Sequence, residues 1–192
     1  MDIQSFAQDY LEKLTDSLKE LSLDDIAEVA ETIYQGYLNG CQVFIMGNGG
    51  SASTASHFAC DLGKGTIVLG KPRFRVISLN DNVALMTALS NDFGYENIFV
   101  EQLTNLLNPG DIVIAITASG NSENILRAVE YAKSKGAITI GFIGFGGGKL
   151  RSMADLSIVI SSRNYGRVED VHLILEHLIC QYLERKLNGE GQ

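Results

Sequence analysis

The chain has 192 residues, 45% of them hydrophobic and 20% charged, and 15 Lys and Arg against 23 Asp and Glu give it a net charge of -8. That composition excludes disorder and collagen-like repeats, and a chain this long buries roughly two thirds of its unfolded surface without a disulfide or structural metal. With no run of Lys or Arg, the acidic balance argues against a nucleic-acid partner, whose backbone is bound by clustered cations, and leaves open a small, locally held anion.

From Ile3 to Asn39 apolar residues recur at spacings of three and four (Phe6, Tyr10, Leu14, Leu18, Leu21, then Ile26, Val29, Ile33, Tyr37), which predicts two helices with one buried stripe each. Ser22, with Asp25 three residues on, marks the start of the second. After Gly40 the pattern changes to short apolar runs, at Gln42 to Met46, Arg75 to Leu79, Asp111 to Ile116, Ala137 to Ile143 and Leu156 to Ile160. Between and after them the spacing predicts helices over Ser51 to Leu62, Val83 to Ser90, Asn97 to Leu107, Asn121 to Ser134 and Arg167 to Leu187. Wholly apolar strands alternating with helices imply a parallel sheet covered on both faces. No linker divides the chain, so the expectation is a helical pair (1–40), one doubly wound α/β core (41–187) and a frayed tail (188–192).

No window reaches the roughly 18 apolar residues of a membrane span, and Met1 to Tyr10 has neither a basic nor an apolar leader region. Cys41, Cys60 and Cys180 form no CxxC pair and are odd in number, which fits a reducing compartment. The chain is therefore read as cytoplasmic, without a membrane partner, its cysteines serving as small buried hydrophobes.

Two strand-to-helix turns carry Gly, Asn and hydroxyl residues: Gly47-Asn48-Gly49-Gly50-Ser51 and Thr117-Ala118-Ser119-Gly120-Asn121-Ser122. Both fall at the carboxyl edge of the predicted sheet, where open α/β sheets bind ligands. A helix N-terminus offers free backbone N–H groups and a partial positive charge, so such turns hold phosphate without Lys or Arg. The competing reading is that Ser51 and Ser122 only cap helices. A dinucleotide motif at Gly47 to Ala52 lacks the acidic residue expected roughly 20 residues on, and Gly144 to Lys149 has the wrong spacing for a P-loop, with Leu150 in place of Ser or Thr.

His57 and Asp61 share one face of the first of these helices. On the last helix Glu169 and His177 differ by about 80° in azimuth and roughly 12 Å in rise, so they converge only if both lean toward one point. His172 and Glu176 form an i,i+4 pair there that reads as a helix-surface interaction. The set of His57, Asp61, Glu169 and His177 suits zinc or a similar divalent ion, or equally an acid/base set for moving protons beside a carbonyl.

Five motifs in order, Gly47-Asn-Gly-Gly-Ser51, His57-Phe-Ala-Cys-Asp61, Ser90-Asn-Asp-Phe-Gly94, Ala118-Ser-Gly-Asn-Ser122 and Arg167-Val-Glu-Asp-Val-His172 through His177, resemble the sugar isomerase (SIS) domain family, and within it the isomerases of heptose phosphates. The resemblance covers nearly the whole chain, read as one SIS domain over 1–192. It implies a flavodoxin-like three-layer αβα sandwich with a five-stranded parallel sheet, and a homotetramer with active sites at subunit interfaces. It also implies an aldose-ketose isomerase that interconverts sedoheptulose 7-phosphate and D-glycero-D-manno-heptose 7-phosphate through an enediol, supplying heptose for lipopolysaccharide, capsule or glycoprotein. By position Asn48, Gly49, Gly50 and Ser51 would contact the substrate, with Asn91 and Asp92 near the sugar and Thr117, Ala118, Ser119 and Ser122 around the phosphate. His57, Asp61, Glu169 and His177 would hold one zinc ion per subunit. Asp61, His177 and Glu169 would carry the proton transfers, Glu169 also touching substrate.

Against the family pattern, Asp61 stands where Glu is usual and Glu169 where Gln is usual, while Thr117-Ala118 replaces Ser-Thr. A carboxylate shortened by one methylene moves by about an ångström, enough to slow a positioned reaction unless something compensates. Either Glu169 supplies that compensation, or the substrate or activity has changed. The same fold also serves as a non-catalytic phosphosugar sensor or as a partner of replication initiators.

Overall fold

The computed structural model describes residues 2–189. It opens with α1 (Ile3–Lys19), capped by Asp2, and α2 (Leu23–Leu38), where the Ser22 hydroxyl accepts from the Asp25 amide at 3.1 Å. There follow β1 (Gln42–Gly47), α3 (Gly50–Cys60), β2 (Arg75–Ser78), α4 (Val83–Phe93), α5 (Val100–Leu106), β3 (Ile112–Thr117), α6 (Glu123–Ser134), β4 (Ile138–Ile143), α7 (Leu150–Met153), β5 (Leu156–Val159) and α8 (Tyr165–Asn188). The strands form one all-parallel sheet in the order β2-β1-β3-β4-β5. This is a flavodoxin-like order, whose direction of winding reverses between β1 and β3. The crevice made by that reversal lies beyond the carboxyl ends of β1 and β3, which places the two Gly/Ser turns side by side.

Alternation along the strands builds two cores. Val43, Ile45, Ile112, Ile114, Ile116, Ile140 and Phe142 point to the face covered by α2, α3 and α8. Phe44, Met46, Val113 and Ala115 point to the other, against α5, α6 and α7. The apolar stripe of α8 (Val168, Val171, Leu175, Ile179, Leu183, Leu187) lies in the first core and fixes the helix against α3.

Several boundaries differ from the sequence expectation. The helix expected to run to Leu62 ends at Cys60 and opens into a wider π turn over Asp61–Gly65, where Gly63 and Gly65 weaken regular helix. The helix expected from Asn97 is a 3-10 turn at Tyr95–Asn97 followed by α5. The short α7 had no periodic signal. Of the expected tail, Asn188 closes α8 and Gly189 caps it in the left-handed conformation, while 190–192 lie outside the described residues. All three cysteines are free, but only Cys180 is buried; Cys60 is exposed and Cys41 intermediate, because neither faces a core.

Candidate active site

The first turn leaves β1 at Gly47, whose backbone is held on both sides by the Asn80 amide: the Gly47 N–H donates to Oδ1 at 3.1 Å and the Gly47 carbonyl accepts from Nδ2 at 2.9 Å. Gly49 adopts φ +56, a conformation that side chains disfavour, and a Cβ on Gly50 would overlap the Glu169 carboxylate. Glu169 therefore lies against the N-terminus of α3, where the helix dipole favours an anion. Ser51 is inside α3, past the cap position held by Gly49.

The second turn leaves β3 at Thr117. The Thr117 hydroxyl oxygen accepts from the Gly120 amide at 3.3 Å and that of Ser119 accepts from the Asn121 amide at 3.2 Å, which leaves both hydroxyl protons to donate elsewhere. Ser122 occupies the N-cap of α6 yet makes no side-chain cap bond. The reading of Ser51 and Ser122 as mere helix caps thus fails at both turns. The rejected P-loop segment, Gly144 to Lys149, forms a wall behind this turn: the Lys149 amide donates to Asn121 Oδ1 at 3.1 Å and the Leu150 amide to the Gly120 carbonyl at 3.0 Å.

A side-chain bridge joins the two turns. Asn48 and Asn124 exchange two amide hydrogen bonds of 2.9 Å each, and Tyr95 donates its hydroxyl to Asn48 Oδ1 at 2.8 Å. Tyr95 follows directly on the Ser90-to-Gly94 motif and brings that segment to the first turn. Asn91 and Asp92, at the end of α4, are exposed and paired with each other at 2.8 Å. Sequence reasoning singled out neither Tyr95 nor Asn124, since a lone Tyr or Asn has no spacing signal.

At the far end of α3, roughly 10 Å along its axis from Gly50, four groups converge. His57 Nε2 and His177 Nε2 are 3.3 Å apart. Asp61 Oδ2 is 3.6 Å from each imidazole, and Glu176 Oε1 is 3.6 Å from His57 and 3.2 Å from His177. One donor atom from each of His57, Asp61, Glu176 and His177 lies within 4.8 Å of every other. Three of the four expected residues are here. The fourth, Glu169, is not, because two turns of α8 carry it back to the first turn; its place is taken by Glu176.

Glu176 was read from the sequence as half of a helix-surface pair with His172. Both are instead fully buried. The signal was present: positions 172 and 176 fall inside the α8 stripe of Val168, Val171, Leu175, Ile179 and Leu183, where apolar residues belong. Burial, reinforced by the charge of Asp61, pushes the Glu176 carboxyl up to about 8. Neither carboxylate oxygen has a hydrogen bond, the imidazole contacts being close but poorly aligned. Two imidazoles and two carboxylates, one of them buried and unpaired, are a donor set that fits a divalent ion such as zinc.

Burial lowers His172 from its ordinary 6.5 to about 3, and both ring nitrogens lack partners. Between those values the unfolded chain binds a proton that the folded chain refuses, so stability falls as pH drops, by up to about 1.4 kcal/mol per pH unit. In metal-free protein Glu176 acts in the opposite sense between 4.5 and about 8, where the folded state retains the proton. The difference between wild type and His172→Leu isolates the histidine. Urea titrations are expected to show the variant gaining on wild type as pH falls below 6, and parallel pH curves would refute this.

A flavodoxin-like sheet whose switch-point turns are hydroxyl-rich, with a histidine-carboxylate cluster on the adjoining helix, defines a class of phosphosugar-binding α/β proteins. The chain belongs to the SIS domain family, whose model matches residues 8–144. Phosphoheptose isomerases are among its relatives: that of Trichlorobacter lovleyi is 38% identical over 164 residues, 85% of this chain and 83% of the relative. That of Helicobacter pylori strain P12 is 37% identical over 175 residues, covering 91% and 88% respectively. The solved phosphoheptose isomerase from Francisella tularensis superposes with a TM-score of 0.88 at 31% identity, over 96% of this chain and all (100%) of the other. That from Neisseria gonorrhoeae also gives 0.88, at 25% identity over 95% and 99%.

Proposed function

We propose that the protein is an aldose-ketose isomerase of sedoheptulose 7-phosphate, forming D-glycero-D-manno-heptose 7-phosphate. The observation that carries this is the placement of the first turn and a histidine-carboxylate cluster at the two ends of one helix, α3, with the hydroxyl-bearing second turn bridged to the first through Asn48 and Asn124, in a chain similar over most of its length to phosphoheptose isomerases. Glu169 already supplies negative charge to the N-terminus of α3, so the phosphate belongs in the second turn, among the hydroxyls of Thr117, Ser119 and Ser122 and the backbone at Ala118. The first turn, through Asn48, Gly49, Gly50 and Ser51, then faces the sugar, with Glu169 beside it and Asn91 and Asp92 at its margin.

Isomerisation moves a hydrogen from C1 to C2 and a proton from O1 to O2. Asp61, 31% exposed and facing both imidazoles, takes the C1 proton and returns it to C2; His177 passes the other proton between the oxygens. Zinc held by His57, Asp61, Glu176 and His177 would polarise a sugar oxygen and so acidify the neighbouring C–H. A homotetramer with shared sites is supported by apolar residues exposed beside His177 on α8, Ile174, Leu178 and Tyr182. Free cysteines support a cytoplasmic setting, and among the described residues no helix is long and apolar enough to cross a membrane. Absence of a visible linker supports one SIS domain over 1–192.

The test is an NMR time course on sedoheptulose 7-phosphate with and without zinc. Aldoheptose signals are expected; binding of the sugar phosphate without product would favour the sensor reading. Ser122→Ala separates binding from capping. Because the hydroxyl makes no cap bond, the melting temperature is expected to stay within about 2 °C, whereas KM rises by roughly tenfold to a hundredfold for one lost hydrogen bond to a charged group.

A further inference from the structure

The two carboxylates of the cluster stand in contrasting surroundings. Glu176 is 0% exposed, both its oxygens lack a hydrogen-bond partner, and it is aimed at two imidazoles. The Asp61 side chain is 31% exposed and sits where α3 loosens into the π turn. Five of the six donor separations are 3.2–3.6 Å. The edges of a tetrahedron around an ion with bonds of about 2.0–2.2 Å are about 3.3–3.6 Å, so four donors already outline a closed zinc-sized site. A catalytic ion needs an open position, and a base needs a free carboxylate. A site closed by four protein ligands meets both needs only if one ligand can leave.

We propose that Glu176 is the anchoring carboxylate ligand of this divalent-cation site and Asp61 the exchangeable one, released to act on substrate. The assignment rests on the metal-assisted reading given above and adds to it a division of labour. Glu176 has no alternative partner: both its buried oxygens lack a hydrogen bond, so its charged form is accommodated only when a cation sits beside it. Asp61 has solvent beside it, so leaving the cation costs it little. The arrangement also accounts for the short Asp61. Once a second carboxylate holds the ion from α8, the residue on α3 no longer has to reach it permanently. Glu169, at the other end of α3, takes no part in metal binding.

Zinc affinity, measured by competition with a chromophoric chelator, and the zinc-induced rise in melting temperature test this in wild type, Glu176→Gln, Glu176→Asp, Asp61→Asn and Glu169→Gln. Outer partners of metal ligands typically change affinity 10- to 100-fold, so loss of an anchoring ligand should exceed that range. Glu176→Gln is expected to weaken zinc by more than about 100-fold and abolish the thermal shift. Its metal-free form should melt within about 2 °C of wild type at neutral pH, since one uncharged buried group replaces another of the same shape. Asp61→Asn should weaken zinc by no more than about tenfold yet stop isomerisation, and Glu169→Gln should bind zinc as wild type does. Glu176→Asp keeps the charge and shortens the reach, and should fall between wild type and Glu176→Gln. Wild-type affinity in Glu176→Gln, an equal loss in Asp61→Asn, or a wild-type protein that takes up no zinc overturns the proposal. If the zinc hierarchy holds but sedoheptulose 7-phosphate is not converted, the ligand assignment stands and the isomerase reading falls.

Discussion

His177→Ala is expected to lower kcat on sedoheptulose 7-phosphate by about 10²–10⁴ at saturating zinc, the range typical of a positioned acid/base group. The substitution removes the imidazole that faces Asp61 Oδ2 at 3.6 Å and His57 Nε2 at 3.3 Å, and with it the group assigned to carry a proton between O1 and O2. The His177 side chain is 41% exposed, so its truncation opens no cavity, and the metal-free protein should melt within about 2 °C of wild type. That combination separates chemistry from folding. Zinc affinity should fall as well, so the comparison has to be made with zinc in excess of the variant's weakened dissociation constant. A variant within tenfold of wild-type kcat under those conditions would remove His177 from the proton transfer.

Gly120→Ala should do the reverse, damaging the fold first and the chemistry through it. Gly120 has φ +65, and a Cβ there would collide with the backbone carbonyl of Gly147, a neighbour that cannot swing aside as a side chain could. The same residue joins the second turn to the wall behind it, its N–H bonded to Thr117 Oγ1 at 3.3 Å and its carbonyl accepting from Leu150 at 3.0 Å. Left-handed strain of about 1–2 kcal/mol and the forced separation of two backbone segments add to a loss of about 2–4 kcal/mol. In a chain of this size that is a fall of about 5–15 °C in melting temperature. KM should rise as well, because the hydroxyls of Thr117 and Ser119 lose their common frame. A melting temperature unchanged to within 2 °C would show that the turn and its wall are not rigidly joined.

The architecture was legible because its signals are periodic. Alternation of Val43 and Ile45 with Phe44 and Met46 gave each strand two apolar faces, and the Ser22 cap marked a helix start correctly. The turns were legible because they follow strands and carry Gly and Ser together. What the sequence did not reveal depends on pairings across long separations. Asn124 meets Asn48 from 76 positions away, and Glu176 reaches His57 from another helix. Glu176 was misread because a charged residue on a helix is ordinarily placed on its surface. Its true position follows from the α8 stripe once the burial of that stripe is taken literally. Glu169, seven residues earlier, showed a tempting motif position but lies at the wrong end of α3.

The amide pair between the turns sets what the first turn is able to read. Asn48 Oδ1 has two lone pairs, and both are occupied, one by Tyr95 and one by Asn124. Its Nδ2 has two hydrogens, of which Asn124 takes one. The single valence left over is a donor, so Asn48 senses lone pairs and ignores hydroxyl protons. A carbonyl, hydroxyl, ether or enediolate oxygen presented there can be met; an ammonium group at the same carbon, having no lone pair, cannot. The bridge that joins the two turns thus leaves the first turn with a donor and no acceptor at Asn48.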